Sequence, residues 1–203
     1  MAYSGSMHAR VDRDLATEKR KLRETMRHRR MNMPHAAMVQ ASRSVARHFA
    51  DHPILAFAPS FAGYIVMRSE LDVRPVFEQM ARFDKDTSLP CIRGEKHLLF
   101  RQWRLGDPLL RSALGTEEPS TTAPSVIPAL VLVPLLAFDG DGYRLGYGAG
   151  YYDRTIAAMR EFSTPPLFIG VAYANQEIDQ VPTDTHDMAL DGVITELGVS
   201  MFR

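Results

Sequence analysis

The sequence predicts an α/β fold: an open, largely parallel sheet flanked by helices. Three observations carry that reading. Two stretches near the start repeat apolar residues at helical spacing. After DHPILAFAPS the rhythm changes to short apolar runs that alternate with helical segments. One of those runs, ALVLVPLLAF (129–138), is apolar throughout, as a central strand covered on both faces must be.

The elements follow in order. MAYSGSMHARVDRD (1–14) lacks the apolar core of a secretory signal and reads as a disordered leader, ahead of a single domain over 15–203. In LATEKRKLRETMRHRRMNM (15–33), Leu15, Leu22, Met26 and Met33 share one face at about 100° per residue. Lys19, Arg23, Arg27 and Arg30 make a second stripe beside the first. It is either a solvated basic face or the wall of a cleft. Pro34 suits the first turn of a second helix. Met38, Ala41, Val45 and Phe49 supply its apolar side, and Arg43 and Arg47 its rim. AGYIVM (62–67) reads as a strand and DVRPVFEQMARF (72–83) as a helix. SLPCI (88–92) and LLFRQW (98–103) read as strands, with Trp103 structural. TEEPSTTAPSVIP (116–128) reads as a surface loop. YYDRTIAAMREF (151–162) is helical, with Ile156, Met159 and Phe162 inward. LFIGVAYA (167–174) and DGVIT (191–195) are the final strands.

Composition narrows the partners. The 203 residues carry 24 Lys and Arg against 24 Asp and Glu. The first fifty hold 11 basic against 4 acidic residues, so a basic arm joins an acidic body and an anionic ligand is expected. No run approaches the roughly 18 apolar residues of a membrane span. Cys91 is the one cysteine, which excludes an internal disulfide and a cysteine-built zinc site. It reads as a small buried residue in a reducing, cytoplasmic setting.

RLGYGAGYYDR (144–154) falls between the most apolar strand and a helix, where ligands sit in open α/β sheets. Its glycines let amides approach phosphate oxygens, and the helix behind points its positive end the same way. Arg144 adds a fork suited to phosphate. Asp153 stands where a carboxylate could hold magnesium beside phosphates and water. The spacing is neither a Walker A loop nor a dinucleotide fingerprint. A tight structural turn and a packed tyrosine patch remain open alternatives.

The run VPLLAFDGDGYRLGYGAGYYDR (133–154) resembles the signature of the 5-formyltetrahydrofolate cyclo-ligase family, the methenyltetrahydrofolate synthetases. KRKLR (19–23), MRSELD (67–72), FRQWRLGDPL (100–109), GTEEP (115–119) and VPTDTHDMALDGVITE (181–196) match further segments in order and spacing. The resemblance implies a three-layer fold of the NagB/RpiA/CoA-transferase-like kind. It implies ATP- and magnesium-dependent conversion of 5-formyltetrahydrofolate to 5,10-methenyltetrahydrofolate, with ADP and phosphate released through a phosphorylated formyl group. Lys19, Arg144 and Tyr152 then match the catalytic positions. Lys19, Arg23, Arg144, Leu145, Gly146, Tyr147, Gly148, Ala149, Gly150, Tyr151 and Tyr152 match the ATP contacts. Glu70, Tyr147, Gly148, Tyr151 and Tyr152 match the folate contacts, and Asp153 and Asp187 the magnesium ligands. The partners implied are a reduced folate and ATP, with no nucleic acid or membrane, and the chain a monomer. Two positions depart from the pattern. Ala149 stands where the family usually has glycine or lysine, and Leu114 where some members carry an aromatic beside the substrate.

Rival readings are a cyclo-ligase-like paralogue that binds nucleotide, or RNA through the basic arm. The pair His186–Asp187 suggests a metal phosphohydrolase, but the other histidines lack supporting spacing.

Overall fold

The central strand explains the layers. The computed structural model describes residues 4–92, 97–112 and 115–202, with side chains from Asp14 onward. In chain order its helices and strands are α1 (Ser4–Met31), α2 (His35–Asp51), α3 (Pro53–Ala56), β1 (Ser60–Ala62), α4 (Arg74–Met80), β2 (Asp86–Ile92), β3 (Leu98–Gln102), β4 (Leu110–Arg111), β5 (Glu117–Glu118) and β6 (Ser125–Val126). Then follow β7 (Leu130–Pro134), β8 (Ala137–Phe138), β9 (Arg144–Leu145), α5 (Tyr151–Arg160), β10 (Leu167–Val171), β11 (Gly192–Thr195) and β12 (Gly198–Met201). Leu130 to Val133 of β7 are wholly buried. Side chains alternate across a strand, so Leu130 and Leu132 join one core with α2 and α4 residues Val45, Phe49, Val76 and Phe77. Val131 and Val133 join a second core with Ile156 and Met159 of α5. The result is helix, sheet, helix. Helix α1 is held by a third cluster, in which Met26 packs on Leu136, Ala137, Leu145 and Val181.

The sheet order is β12-β11-β10-β7-β1-β2-β3-β6. The five strands from β11 to β2 run parallel, and β12, β3 and β6 are antiparallel additions at the edges. From β1 the chain crosses through α4 to β2 on one side. From β7 it crosses through α5 to β10 on the other. The strand order therefore switches between β1 and β7, and the loops leaving both open a crevice there.

Several expectations change at the boundaries. The helix α1 begins at Ser4, inside the stretch read as a disordered leader. No proline interrupts Ser4–Asp14, so the helix can extend N-terminally from Leu15. The strand expected over 62–67 ends at Ala62. Gly63 passes against the Phe77 ring, where an added Cβ would lie 2.4 Å from Cε2. Tyr64 to Met67 are apolar because they line a cavity, not because they join the sheet. The run 129–138 divides: after β7, Leu135 and Leu136 turn the chain into the β8–β9 hairpin. Phe162 lies beyond α5 and is 40% exposed, so it does not join the core. β12 was not legible as a strand. Cys91 is fully buried. Trp103 is structural, edge-on to Phe77 with centroids 5.3 Å apart. Leu114 lies outside the described residues.

Phe77 is wedged between Phe61 and Trp103 and has little room to yield. Gly63→Ala is expected to destabilise the fold by about 1 to 3 kcal/mol, read as a lower urea midpoint at unchanged slope.

Candidate active site

The wall of the crevice is built by an aspartate-pinned hairpin. Asp139 is buried, and its Oδ1 accepts the amides of Asp141 and Tyr143 at 3.1 and 3.0 Å. Its Oδ2 accepts the Val181 amide at 2.9 Å, which ties the C-terminal loop to the hairpin. Arg144 on β9 follows. Its side chain is only 2% exposed. Nη2 donates to Asp153 Oδ1 (2.9 Å) and Nη1 to the Met188 carbonyl (2.7 Å). The Met188 amide donates to the same Asp153 oxygen (3.2 Å). Strand, helix and C-terminal loop meet at this one cation.

From Arg144 the glycine loop reaches α5. Gly148 (φ +106°) and Gly150 (φ +68°) take left-handed backbone that a side chain would resist. Gly150 is the N-cap of α5, and no side chain caps the helix. Its first amides, with the positive end of the helix dipole, are therefore available to an anion. Arg23 of α1 donates from Nε to the Gly146 carbonyl (2.9 Å) and lies against Gly148. Lys19, one turn earlier, donates to Asp184 Oδ2 (2.8 Å) and Asp187 Oδ2 (2.5 Å). Burial opposes the Lys19 charge, but its hydrogen bonds to Asp184 and Asp187, with their negative charges, together outweigh it and raise the ammonium pKa.

These groups face one cavity of about 1300 Å³. At another part of its wall stands Glu70, in the loop after β1, with 6% exposure. Its Oε2 accepts the Met67 amide at 2.7 Å, which closes its own turn. Burial raises its pKa above the ordinary carboxylate value, partly offset by the Tyr147 hydroxyl, the Met67 amide and the charge of Arg30. Burial likewise pushes the Tyr152 and Tyr147 hydroxyls up, so both stay protonated donors at neutral pH. Leu89, Pro90, Ile92 and Leu98 also line the cavity and give it an apolar surface suited to a flat ring system.

A sequence model of the 5-formyltetrahydrofolate cyclo-ligase family matches residues 16–196. The chain belongs to that family. It is 29% identical to the 5-formyltetrahydrofolate cyclo-ligase of Escherichia coli K12 over 176 residues, 84% of this chain and 96% of the relative. It is 29% identical to the enzyme of that name from Haemophilus influenzae over 185 residues, 88% of this chain and 98% of the relative. The solution structure of Aquifex aeolicus 5,10-methenyltetrahydrofolate synthetase superposes with a TM-score of 0.78 at 29% identity, covering 91% of this chain and 93% of that one. A Mycoplasma pneumoniae 5,10-methenyltetrahydrofolate synthetase shares the fold, with a TM-score of 0.70 at 22% identity.

Every site residue expected for this family lines the cavity: Lys19, Arg23, Glu70, Arg144 through Asp153, and Asp187. The basic stripe divides. Lys19 and Arg23 face the cavity, while Arg27 and Arg30 do not line it. Asp184 and Met188 escaped the sequence reading. The spacing of Asp184 and Asp187, three residues apart in PTDTHD, was the available signal. No group of three or more His, Cys, Asp or Glu side chains among the described residues forms a ready metal cage, and His186 is exposed.

Glu70 has a higher pKa folded than its ordinary value of 4.5. Such a carboxyl contributes stability below the unfolded pKa and loses it as pH rises through the folded one. As pH rises above the ordinary value of 4.5 the protein should therefore lose stability relative to its E70Q variant. Urea midpoints of both proteins measure this, and a relative gain for the parent with rising pH would contradict it.

Proposed function

We propose that this chain converts 5-formyltetrahydrofolate, with ATP and magnesium, to 5,10-methenyltetrahydrofolate, ADP and phosphate. The observation that carries the reading is a single cavity lined by two kinds of groups, one suited to phosphates and one to a folate. Lys19, Arg23, Arg144 and the uncapped start of α5 make the first. Glu70, Tyr147 and the apolar surface make the second. The activities printed for the family relatives support the same reading.

The chemistry explains the need for both kinds. A formamide carbonyl is a poor electrophile and its oxygen a poor leaving group. In the proposed sequence the formyl oxygen attacks the γ-phosphorus, an O–P bond forms, and the bond to the ADP oxygen breaks. The formyl carbon becomes iminium-like. N10 adds to it, loses its proton, and phosphate departs with the C–O bond to complete the ring. The protein's work is alignment and charge neutralisation. Lys19 and Arg144 offset charge on the transferring group, and Tyr152 donates from the junction of folate and nucleotide. Leu145 through Tyr151 present backbone and side chains to the nucleotide. Glu70 orients the reacting nitrogens, with Tyr147, Gly148 and Tyr151 beside the folate.

Asp153 and Asp187 fit a magnesium ion. Each has one oxygen held by the protein, Oδ1 of Asp153 and Oδ2 of Asp187, and both side chains face the cavity. Two carboxylates plus waters and phosphate oxygens meet the ion's usual demand, and the ion supplies charge neutralisation at the phosphates. Residues 15–203 act as one catalytic unit, since every residue invoked comes from that stretch. No helix among the described residues is long and apolar enough to cross a membrane.

Pure protein mixed with 5-formyltetrahydrofolate and MgATP should generate the ultraviolet absorbance of methenyltetrahydrofolate; absence of ATP-dependent product would reject the reading. Asp153→Asn should lower turnover about 10- to 100-fold and raise the magnesium concentration needed for half activity. Lys19→Ala should lower kcat about 100- to 1000-fold, the usual loss of a donor aimed at developing charge.

A further inference from the structure

Arg30 is among the most buried cations described, at 2% exposure, yet it does not line the cavity. It enters from α1 behind the wall. Nε donates to Ser69 Oγ (3.1 Å), the residue before Glu70. Nη1 donates to the Leu135 carbonyl (3.3 Å), just past the central strand. The guanidinium carbon lies 5.8 Å from the centre of the Tyr147 ring. One planar fork therefore touches the β1 loop, the end of β7 and the glycine loop. Those are the segments that flank the crevice at the switch in strand order.

We propose that Arg30 is a positioning residue for folate in the cavity: it fixes the Glu70 turn and the Tyr147 ring against each other before substrate arrives. The inference rests on the reaction proposed above. Glu70 has other supports: Tyr64 bonds the Leu71 carbonyl (2.7 Å), the Met67 amide closes the turn, and the Tyr147 hydroxyl bonds the Glu70 carboxyl directly. Arg30 backs both sides of that last contact, holding Ser69 on the turn and lying against the Tyr147 ring. A lysine at the same place keeps the charge but cannot reproduce the planar fork.

The charge has a second effect. The groups facing Glu70 are Arg30 from α1, Tyr64 from its own loop, Tyr147 of the glycine loop, whose hydroxyl bonds the carboxyl, Tyr152 at the start of α5, and Tyr173 after β10, whose hydroxyl lies 3.5 Å from the Glu70 carbonyl. Burial drives the carboxyl towards protonation, and Arg30 is the cation that opposes it. Without Arg30, Glu70 protonates at higher pH.

The test compares the parent with R30M and R30K, measuring KM for each substrate and the pH profile of kcat/KM for the folate. R30M should raise the KM for 5-formyltetrahydrofolate about 10- to 100-fold, leave the KM for ATP in place, and move the acid limb to higher pH. R30K should give a smaller rise and leave the limb where the parent has it. An unchanged folate KM, or equal losses for both substrates with the limb unmoved, would overturn the assignment. Should R30M fail to fold, R30K decides: a selective rise in folate KM supports the role, and an unchanged one ends it. Absence of turnover by the parent would instead end the proposed reaction, so the two failures are distinguishable.

Discussion

Arg144 carries a full charge into a wall where water scarcely reaches it, and the surrounding segments are arranged to satisfy that charge. A buried guanidinium is tolerated only with good partners on its N–H groups. One partner comes from α5, through Asp153, and another from the C-terminal loop, through the Met188 carbonyl. The loop amide returns to the same carboxylate. A strand, a helix and a loop some 44 residues further on thus share one electrostatic knot. The glycine loop leaves this knot at its first residue and comes back to it through Asp153. A backbone that would otherwise be permissive is anchored at both ends, which keeps the uncapped helix start aimed into the cavity.

Charged and apolar groups share the wall of that cavity. Lys19, Arg23 and Arg144 line it with Asp153, Asp184 and Asp187, buried Glu70 and Glu118 line it too, and Leu89, Pro90 and Leu98 add hydrocarbon. Low-dielectric walls strengthen each charge's reach. A ligand with an anionic tail and a ring bearing N–H groups would find a partner there for each of its parts.

Much of this was legible in the sequence because it is periodic or locally coded. The apolar faces of α1 and α2, the unbroken run of β7 and the glycine signature all announce themselves over a few residues. What misled was apolarity with another cause. Tyr64 to Met67 look like strand residues but coat a cavity, and Phe162 keeps helical spacing beyond the helix end. What stayed hidden was contact between distant segments. Nothing around Arg30 says that it meets Ser69, Leu135 and Tyr147, and nothing around Asp184 says that it meets Lys19. Residue type and spacing left the stripe either solvated or cleft-facing; only the tertiary structure separated the two members that face the cleft from the one that braces it.

Lys19 meets its acidic partners across 165 and 168 residues of chain. Contacts of that separation close long loops and are entropically late to become favourable. Helix α1 therefore waits for the segment carrying Asp184 and Asp187 before its lysine meets those two acids. A chain cut ahead of Asp184 would keep the glycine loop but lose Asp184, Asp187 and Met188 from the cavity wall, so a ligand that needs that wall stabilises only chains that carry it.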